Sequence, residues 1–315
     1  MKTLLQAVAV MSFGKLLFAV QDVIIKEMSG AYPIHEIVTI RGLVAIPILL
    51  ALIHFTVKIR SLRHHRPGYH LLRGLLMFMA FMAYYVALSE MSLTTATALF
   101  FTAPFFITLL SIPMLGESVG PRRIITILVG FCGVVIVIRP DSSSFDLITL
   151  LPILSAFFYA LCQLMVRYAK MTAPASIMSI YLSLCFIIFG LLSALVFQFV
   201  DPPDSTRAAA LTLYLPWVIP HQADLLAIAF TGVSSGLGFM FASYAYQQAQ
   251  ASRLAPFEYV MIIWVTILSF LVWDELPDTQ TVIGLIIIIS SGLYVLHRED
   301  KADKKPDNYL GLGRR

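Results

Sequence analysis

Residues 108–117 read Thr-Leu-Leu-Ser-Ile-Pro-Met-Leu-Gly-Glu, and residues 266–275 read Thr-Ile-Leu-Ser-Phe-Leu-Val-Trp-Asp-Glu. Thr108, Leu110, Ser111 and Glu117 recur as Thr266, Leu268, Ser269 and Glu275, at a constant offset of 158 residues (266 − 108). Both stretches sit in long apolar helical sequence. A membrane chain made of two similar helical halves is the usual build of a secondary transporter, with the substrate path between the halves. An odd or even number of spans per half then decides whether the halves enter the membrane in opposite senses or the same one.

Composition supports a membrane setting. Of 315 residues, 59% are hydrophobic and 13% charged, where a soluble domain carries nearer a quarter charged. That polar surface is too small to coat a globule, and apolar runs of roughly 20 residues recur along the chain, each long enough to cross a bilayer. The three cysteines, Cys132, Cys162 and Cys185, lie inside apolar runs and read as small core residues. The apolar N-terminal run has no A-x-A-like cleavage site and reads as a retained first helix.

Ten spans are expected, at 4–28, 34–57, 69–89, 93–115, 122–138, 146–169, 174–199, 223–248, 252–273 and 279–297. Pro33 and Pro174 are expected just inside the second and seventh helices, Pro121 at the start of the fifth, and Asp278 as the N-cap of the tenth. With ten spans, the basic loops (Lys58, Arg60, Arg63, Arg66; Arg122, Arg123; Arg167, Lys170) and the tail from Glu299 to Arg315 all fall on one side. The positive-inside rule makes that side cytoplasmic, with both termini. His64, His65 and His70 sit in or beside the first basic loop and read as a solvated, lipid-facing loop rather than a metal site.

Around the first and sixth helices the best offset is 141 (163 − 22), which sets Phe18 on Tyr159, Asp22 on Gln163, Lys26 on Arg167 and Pro33 on Pro174. The 17 additional residues (158 − 141) fall in the polar stretch from Asp201 to Gln222. The halves are therefore five helices each, 4–140 and 146–298, followed by a polar tail at 299–315. An odd count makes the repeat inverted, an architecture that supports alternating access.

Several motifs stand in a recognisable order. They are Ile40-Arg41-Gly42, the Ala87-Leu88 to Leu99 stretch, Pro104, Leu115-Gly116-Glu117, Gly130-Phe131-Cys132-Gly133-Val134-Val135, Arg139-Pro140, Trp273-Asp274-Glu275 and the run from Gly284 to Gly292. In this order and spacing the chain resembles the drug/metabolite transporter superfamily, in its EamA branch, over nearly its whole length. The resemblance implies a ten-helix carrier of a small organic metabolite; related chains carry amino acids, nucleoside-like compounds such as S-adenosylmethionine, or riboflavin. Leu72-Arg73-Gly74 and Arg139-Pro140 look most like the uptake-type members. Two positions depart from the pattern: Asp274 stands where a glycine is expected, and Leu182 stands opposite Arg41.

Charges inside spans are the candidate site. An ionisable side chain at mid-membrane costs roughly 2.5 kcal/mol or more, so it usually faces a cavity or a partner. Lys15, Asp22 and Lys26 are spaced seven and four apart and share a helix face. Asp22 lies about 9 Å, and Arg41 about 10 Å, inside the outer ends of their helices, counting about 1.5 Å per residue. They either flank a substrate site, with Arg41 gripping a carboxylate or phosphate, or form a structural ion pair between adjacent helices. Lys26 reads as snorkelling. In the second half Gln163 replaces Asp22, Tyr159 lies one turn before it, and Glu258, with Tyr259 and Trp264 after it, is the second intramembrane carboxylate. The aromatic cluster Phe81, Tyr84 and Tyr85 fits one helix face and would suit a ring-bearing or cationic substrate. Lys15, Asp22, Arg41, Tyr84, Tyr85, Tyr159, Gln163, Glu258 and Trp264 are thus the substrate-binding or coupling candidates. Glu117 and Glu275 are expected to be structural or hinge residues facing the positive end of the next helix.

The chain carries no Walker-type phosphate loop, no nucleophile elbow and no histidine or cysteine cluster with metal-ligand spacing. No metal or cofactor is expected. The net charge of +4 is accounted for by the basic loops, so nucleic acid is not an expected partner. A small-molecule substrate and membrane lipids are, and a homodimer stays open. The expected function is secondary active transport across the inner membrane, proton-coupled or by exchange, with no enzymatic activity. The alternative is a membrane-embedded enzyme acting on a lipid or isoprenoid carrier.

Overall fold

The computed structural model of the protein describes residues 2–28, 31–56, 67–91, 93–117, 119–138, 147–168, 174–200 and 213–274, and positions 279–280, 282–287, 289–291 and 294. Among these the fold is all-helical. The first half comprises α1 (Lys2–Met28), α2 (Ile34–Thr56), α3 (Pro67–Glu90), α4 (Leu93–Phe100), α5 (Ala103–Leu115) and α6 (Pro121–Ile138). The second comprises α7 (Leu150–Tyr168), α8 (Ala175–Gln198), α9 (Gln222–Gln248), α10 (Ala251–Leu254), a 3₁₀ segment (Ala255–Tyr259), α11 (Val260–Trp273) and α12 (Val282–Ser291). Seven helical stretches are long and apolar enough to cross a membrane, and Ala103–Leu115, Ile124–Gly133 and Val282–Ser291 are shorter apolar helices. The protein is therefore a multi-pass membrane protein.

The helices are sorted by chemistry in the sense a bilayer requires. Large apolar side chains such as Leu43, Leu195, Leu226 and Leu271 are exposed on the outside. Lys15, Asp22, Arg41, Arg73 and Glu258 are buried. With lipid as the outer solvent, polar groups gain only by turning inward to one another.

The halves embrace reciprocally. α1 packs along α9 and α7 along α3, so the first helix of each half lies on the third full-length helix of the other, while α2 and α8 pack on each other. Close approach needs small residues. A Cβ on Gly42 would stand 2.9 Å from the carbonyl oxygen of Ser183, and one on Gly190 would strike the Thr39 hydroxyl. Gly42 and Ser183 correspond at the 141 offset. Phe101 and Tyr259, which correspond at the 158 offset, have ring centroids 5.6 Å apart. Contact between a residue and its own repeat equivalent is what an axis of two-fold symmetry produces.

Two of the expected spans are not single α-helices. The stretch at 93–115 breaks at Phe101 and Thr102, with Pro104 in the first turn of α5. The stretch at 252–273 breaks into α10, the 3₁₀ segment and α11, with Pro256 in the first turn of the 3₁₀ segment. A proline removes a backbone N–H and clashes with the preceding turn, which kinks or breaks an α-helix; these two stretches break, whereas α2 continues through Pro47 and α5 through Pro113. Pro33 and Pro174 stand one residue ahead of α2 and α8 rather than inside them, whereas Pro121 does open α6. Asp278, His64, His65, most of the basic loops, Arg139-Pro140 and the tail lie outside the described residues. His70 is not in a solvated loop: it is buried in α3, its ring stacked on Tyr181 at 4.6 Å. Among the described residues no group of three or more His, Cys, Asp or Glu could hold a metal ion.

Candidate functional site

A cavity opens where the two halves meet. Its volume is about 50 Å³, and its wall includes Lys15, Gln21 and Asp22 of α1, Tyr84 of α3, and Ser155 and Tyr159 of α7. Aromatic rings complete the enclosure: Phe18, Phe81, Phe100 and Phe239. Of the expected site residues, Lys15, Asp22, Tyr84 and Tyr159 line it directly. The shared face of α1 puts Lys15 and Asp22 there together, two turns or about 10 Å apart along the helix axis.

Behind Lys15 lies a polar network that joins both halves. Its ammonium forms an ion pair with Glu258 and donates to the Tyr159 hydroxyl at 3.0 Å. The Tyr159 hydroxyl in turn donates to the Glu258 carboxylate, 3.2 Å from each oxygen, and Tyr246 donates to Glu258 Oε1 at 2.6 Å. Lys15, Tyr159, Tyr246 and Glu258 are all buried. Gln163 hydrogen-bonds Tyr159 from the next turn of α7. Glu258 occupies the 3₁₀ segment, where the broken helix brings its carboxylate toward three donors from α1, α7 and α9.

Arg41 is placed differently from expectation. It does not pair with Asp22, because α1 and α2 are not packing neighbours: each lies on helices of the other half. Instead Tyr85 joins them. Gln21 Nε2 donates to the Tyr85 hydroxyl at 2.8 Å, Arg41 Nη1 donates to the same oxygen at 3.2 Å, and Tyr85 also stands beside the Asp22 carboxylate. The Arg41 guanidinium lies against the rings of Phe81 (4.5 Å) and Phe186 (4.7 Å), which themselves meet edge to face, and the negative ring faces favour such a cation. Its Nε and Nη2 are buried without a hydrogen-bond partner.

The remaining candidates take structural positions. Trp264 does not reach the cavity; its indole N–H holds the Ser12 carbonyl at 3.1 Å. Lys26 donates to the carbonyls of Leu88 (2.8 Å) and Met91 (3.0 Å) at the end of α3, where a cation complements unpaired helix carbonyls. Glu117 faces a helix N-terminus as expected, but that of α10 in the other half rather than that of α6. It accepts the N–H groups of Ala251 (2.9 Å) and Ser252 (3.0 Å) and the Ser252 hydroxyl (2.6 Å). Glu275 lies outside the described residues. Tyr246, Gln21, Phe100, Phe186 and Phe239 were not expected. Gln21 adjoins Asp22, but no sequence spacing ties Tyr246 to Glu258, because the chain reverses between them.

The sequence pattern of the EamA-like transporter family matches residues 5–139 and again 146–296. The chain belongs to the EamA-like transporter family. Its relatives include an S-adenosylmethionine uptake transporter of Rickettsia conorii, 27% identical over 89% of each chain. A second, from Rickettsia prowazekii, is 26% identical over 96% of each. A riboflavin transporter of Vibrio cholerae is 30% identical over 88% of this chain and 87% of its own. The fold of this EamA-like transporter also matches a crystal structure at a TM-score of 0.71 and 17% identity, covering 94% of this chain and 98% of that one.

Proposed function

We propose that the protein is a secondary transporter that takes a nucleoside-like, zwitterionic metabolite of the S-adenosylmethionine kind across the inner membrane by alternating access. The cavity carries this reading: Lys15 and Asp22 present opposite charges, separated along α1, within a wall of aromatic rings. A ligand with a carboxylate, a positive group and a flat ring system matches all three features. The names of the Rickettsia relatives support the same class. Two five-helix halves, 4–140 and 146–298, inverted with respect to each other, give ten spans with both termini in the cytoplasm. The basic loops and the reciprocal packing of equivalent helices support this arrangement. Arg41 and the Tyr85 hydroxyl hold the aromatic side of the cavity from behind. The lining offers polar groups for orienting a solute and no catalytic cluster, which favours transport over chemistry on a lipid carrier.

The test is uptake of radiolabelled S-adenosylmethionine by proteoliposomes holding the purified protein, with riboflavin in parallel. Saturable S-adenosylmethionine uptake that falls ~10-fold or more in Asp22→Asn and Lys15→Met, the loss of one charge-assisted bond, supports the reading. Riboflavin uptake that is insensitive to both substitutions assigns the cavity to a neutral ring-bearing substrate instead.

A further inference from the structure

We propose that Glu258 is the proton-coupling group of the transporter, and that Lys15 alternates between Glu258 and an anionic group of the substrate. The proposal rests on the transport function above and deepens it.

Lys15 is the charged residue shared between the cavity and the buried network, with the neutral Tyr159 beside it. It lines the cavity, and its ammonium also pairs with Glu258, which is not among the residues lining the cavity. Glu258 is 2% exposed, and its other donors, Tyr159 and Tyr246, are neutral phenols. The titratable groups bonded to it are Lys15 from α1, Tyr159 from α7 and Tyr246 from α9. Of the other elements packed on the 3₁₀ segment, α5 and α11 contain no titratable residue and α10 carries Arg253, while Glu117 of the first half acts on Tyr246 through its charge. α6 brings Cys132 near the neighbouring Tyr259, and Tyr259 turns its hydroxyl to the Ile127 carbonyl.

A substrate carboxylate that enters the cavity competes with Glu258 for the same ammonium. If Lys15 moves to the substrate, Glu258 becomes a lone buried charge facing only neutral donors, and such a charge is costly unless it is neutralised. Taking one proton from water that reaches it through the cavity neutralises it. The exchange balances. The substrate carboxylate replaces the Glu258 carboxylate at an ammonium that stays protonated, and a hydronium ion of the cavity water gives up one proton, so one O–H bond breaks there, leaving water, as one forms at Glu258. Tyr159 can accommodate the change, because its oxygen now accepts from Lys15. When Lys15 leaves, that oxygen is free to accept the new Glu258 proton. The bound state then carries the substrate and one proton. Release on the other side reverses the order, as Glu258 loses its proton and recaptures Lys15.

The experiment uses the full-length purified protein in detergent and S-adenosylmethionine as the probe. Binding and proton uptake are read together, the latter with an indicator dye in weak buffer. The expected result is one proton taken up per ligand bound, with wild-type affinity rising up to ~10-fold per unit fall in pH, the one-proton limit. Glu258→Gln should bind the probe at least as tightly, because Lys15 has lost its competitor, with no proton uptake and no such pH dependence. Asp22 is the other carboxylate at the cavity, so uptake that persists in Glu258→Gln moves the coupling to Asp22 and overturns the proposal. Binding by the wild type without proton uptake overturns it too. Absence of binding sinks the substrate assignment alone, and the coupling is then decided without ligand by infrared spectroscopy. Lys15→Met and Lys15→Gln should each show a protonated-carboxyl band that is missing from the wild type and from the corresponding double variants with Glu258→Gln. If neither single variant shows it, Glu258 does not take up a proton when Lys15 leaves, and the proposal fails.

Discussion

The Glu117 side chain accepts both the backbone N–H (3.0 Å) and the hydroxyl (2.6 Å) of Ser252. A residue of the first half thereby caps a helix of the second, and that helix leads directly into the 3₁₀ segment that carries Glu258. An anionic cap combines hydrogen bonding with the helix dipole, at about 1 to 2 kcal/mol for a partly buried case. Glu117→Ala should therefore lower stability by about that amount, and Ser252→Ala by about 1 kcal/mol. Thermal unfolding in detergent measures both. The double variant should lose less than the sum, because the two residues share the hydroxyl contact; strict additivity would show that the contact contributes nothing.

Gly116 and Asp274 correspond at the 158 offset and end α5 and α11 in the same left-handed conformation, with φ of 65° and 56°. Glycine adopts it without a steric penalty, whereas a side chain costs about 1 to 2 kcal/mol, least for Asp and Asn. The departure from the expected glycine at Asp274 thus keeps the local fold at an energetic cost. Asp274→Gly should raise stability by about 0.5 to 1 kcal/mol. Gly116→Ala should lower it by about 1 kcal/mol or more, although the space around Gly116 is open. Melting temperatures of the two variants should move in opposite directions.

How far such features could be read in advance differed by type. Most helix bounds followed from hydropathy and proline, since a bilayer makes span length nearly a composition rule. The shared face of Lys15 and Asp22 also followed, because helical spacing fixes it within one element. What failed was partnership between elements. Asp22 and Arg41 have matching depth and opposite charge, yet depth says nothing of which helices are neighbours, and α1 and α2 lie apart. Glu117 was assigned to the next helix in sequence when the interlocked halves bring it another. The breaks at Phe101–Thr102 and at the 3₁₀ segment carry the proline signals Pro104 and Pro256, but the apolar sequence runs through the first without interruption, and Arg253 and Glu258 mark the second only as polar, not as broken.

The Arg41 guanidinium packs against both Phe81 and Phe186, contacts that favour a delocalised, weakly hydrated cation. Lysine keeps the charge but offers neither the delocalised guanidinium that packs on the rings nor the same fork toward Tyr85. Arg41→Lys should therefore lower transport nearly as much as Arg41→Ala, by ~10-fold or more if one charge-assisted contact is lost. Both proteins should still insert. Transport by Arg41→Lys at the wild-type rate would show that charge alone is needed there.

The last prediction concerns His35, near the opposite end of the molecule from the Glu117 cap. The Trp217 indole N–H donates to His35 Nδ1 at 2.7 Å, and His35 Nε2 is 3.1 Å from the Leu213 carbonyl. An indole nitrogen is a donor only. His35 must therefore accept at Nδ1 and donate from Nε2, so the ring is neutral in this arrangement. The contact belongs to a strap held also by Glu36, which accepts from the Val218 N–H at 3.2 Å, and by Tyr32, which donates to Asp224 at 2.6 Å. Besides His35, the titratable groups nearby in the described chain are Tyr32, Glu36, Tyr214, His221 and Asp224. Protonation at Nδ1 would set two donors face to face and break the Trp217 contact, so the strap is held at higher pH and loosened on acidification. Tryptophan fluorescence of the purified protein should shift on acidification, and His35→Phe should abolish the shift. Trp217→Phe should abolish it as well, leaving Trp264 and Trp273 insensitive. A shift that persists in His35→Phe would assign the titration to Glu36 or His221 instead.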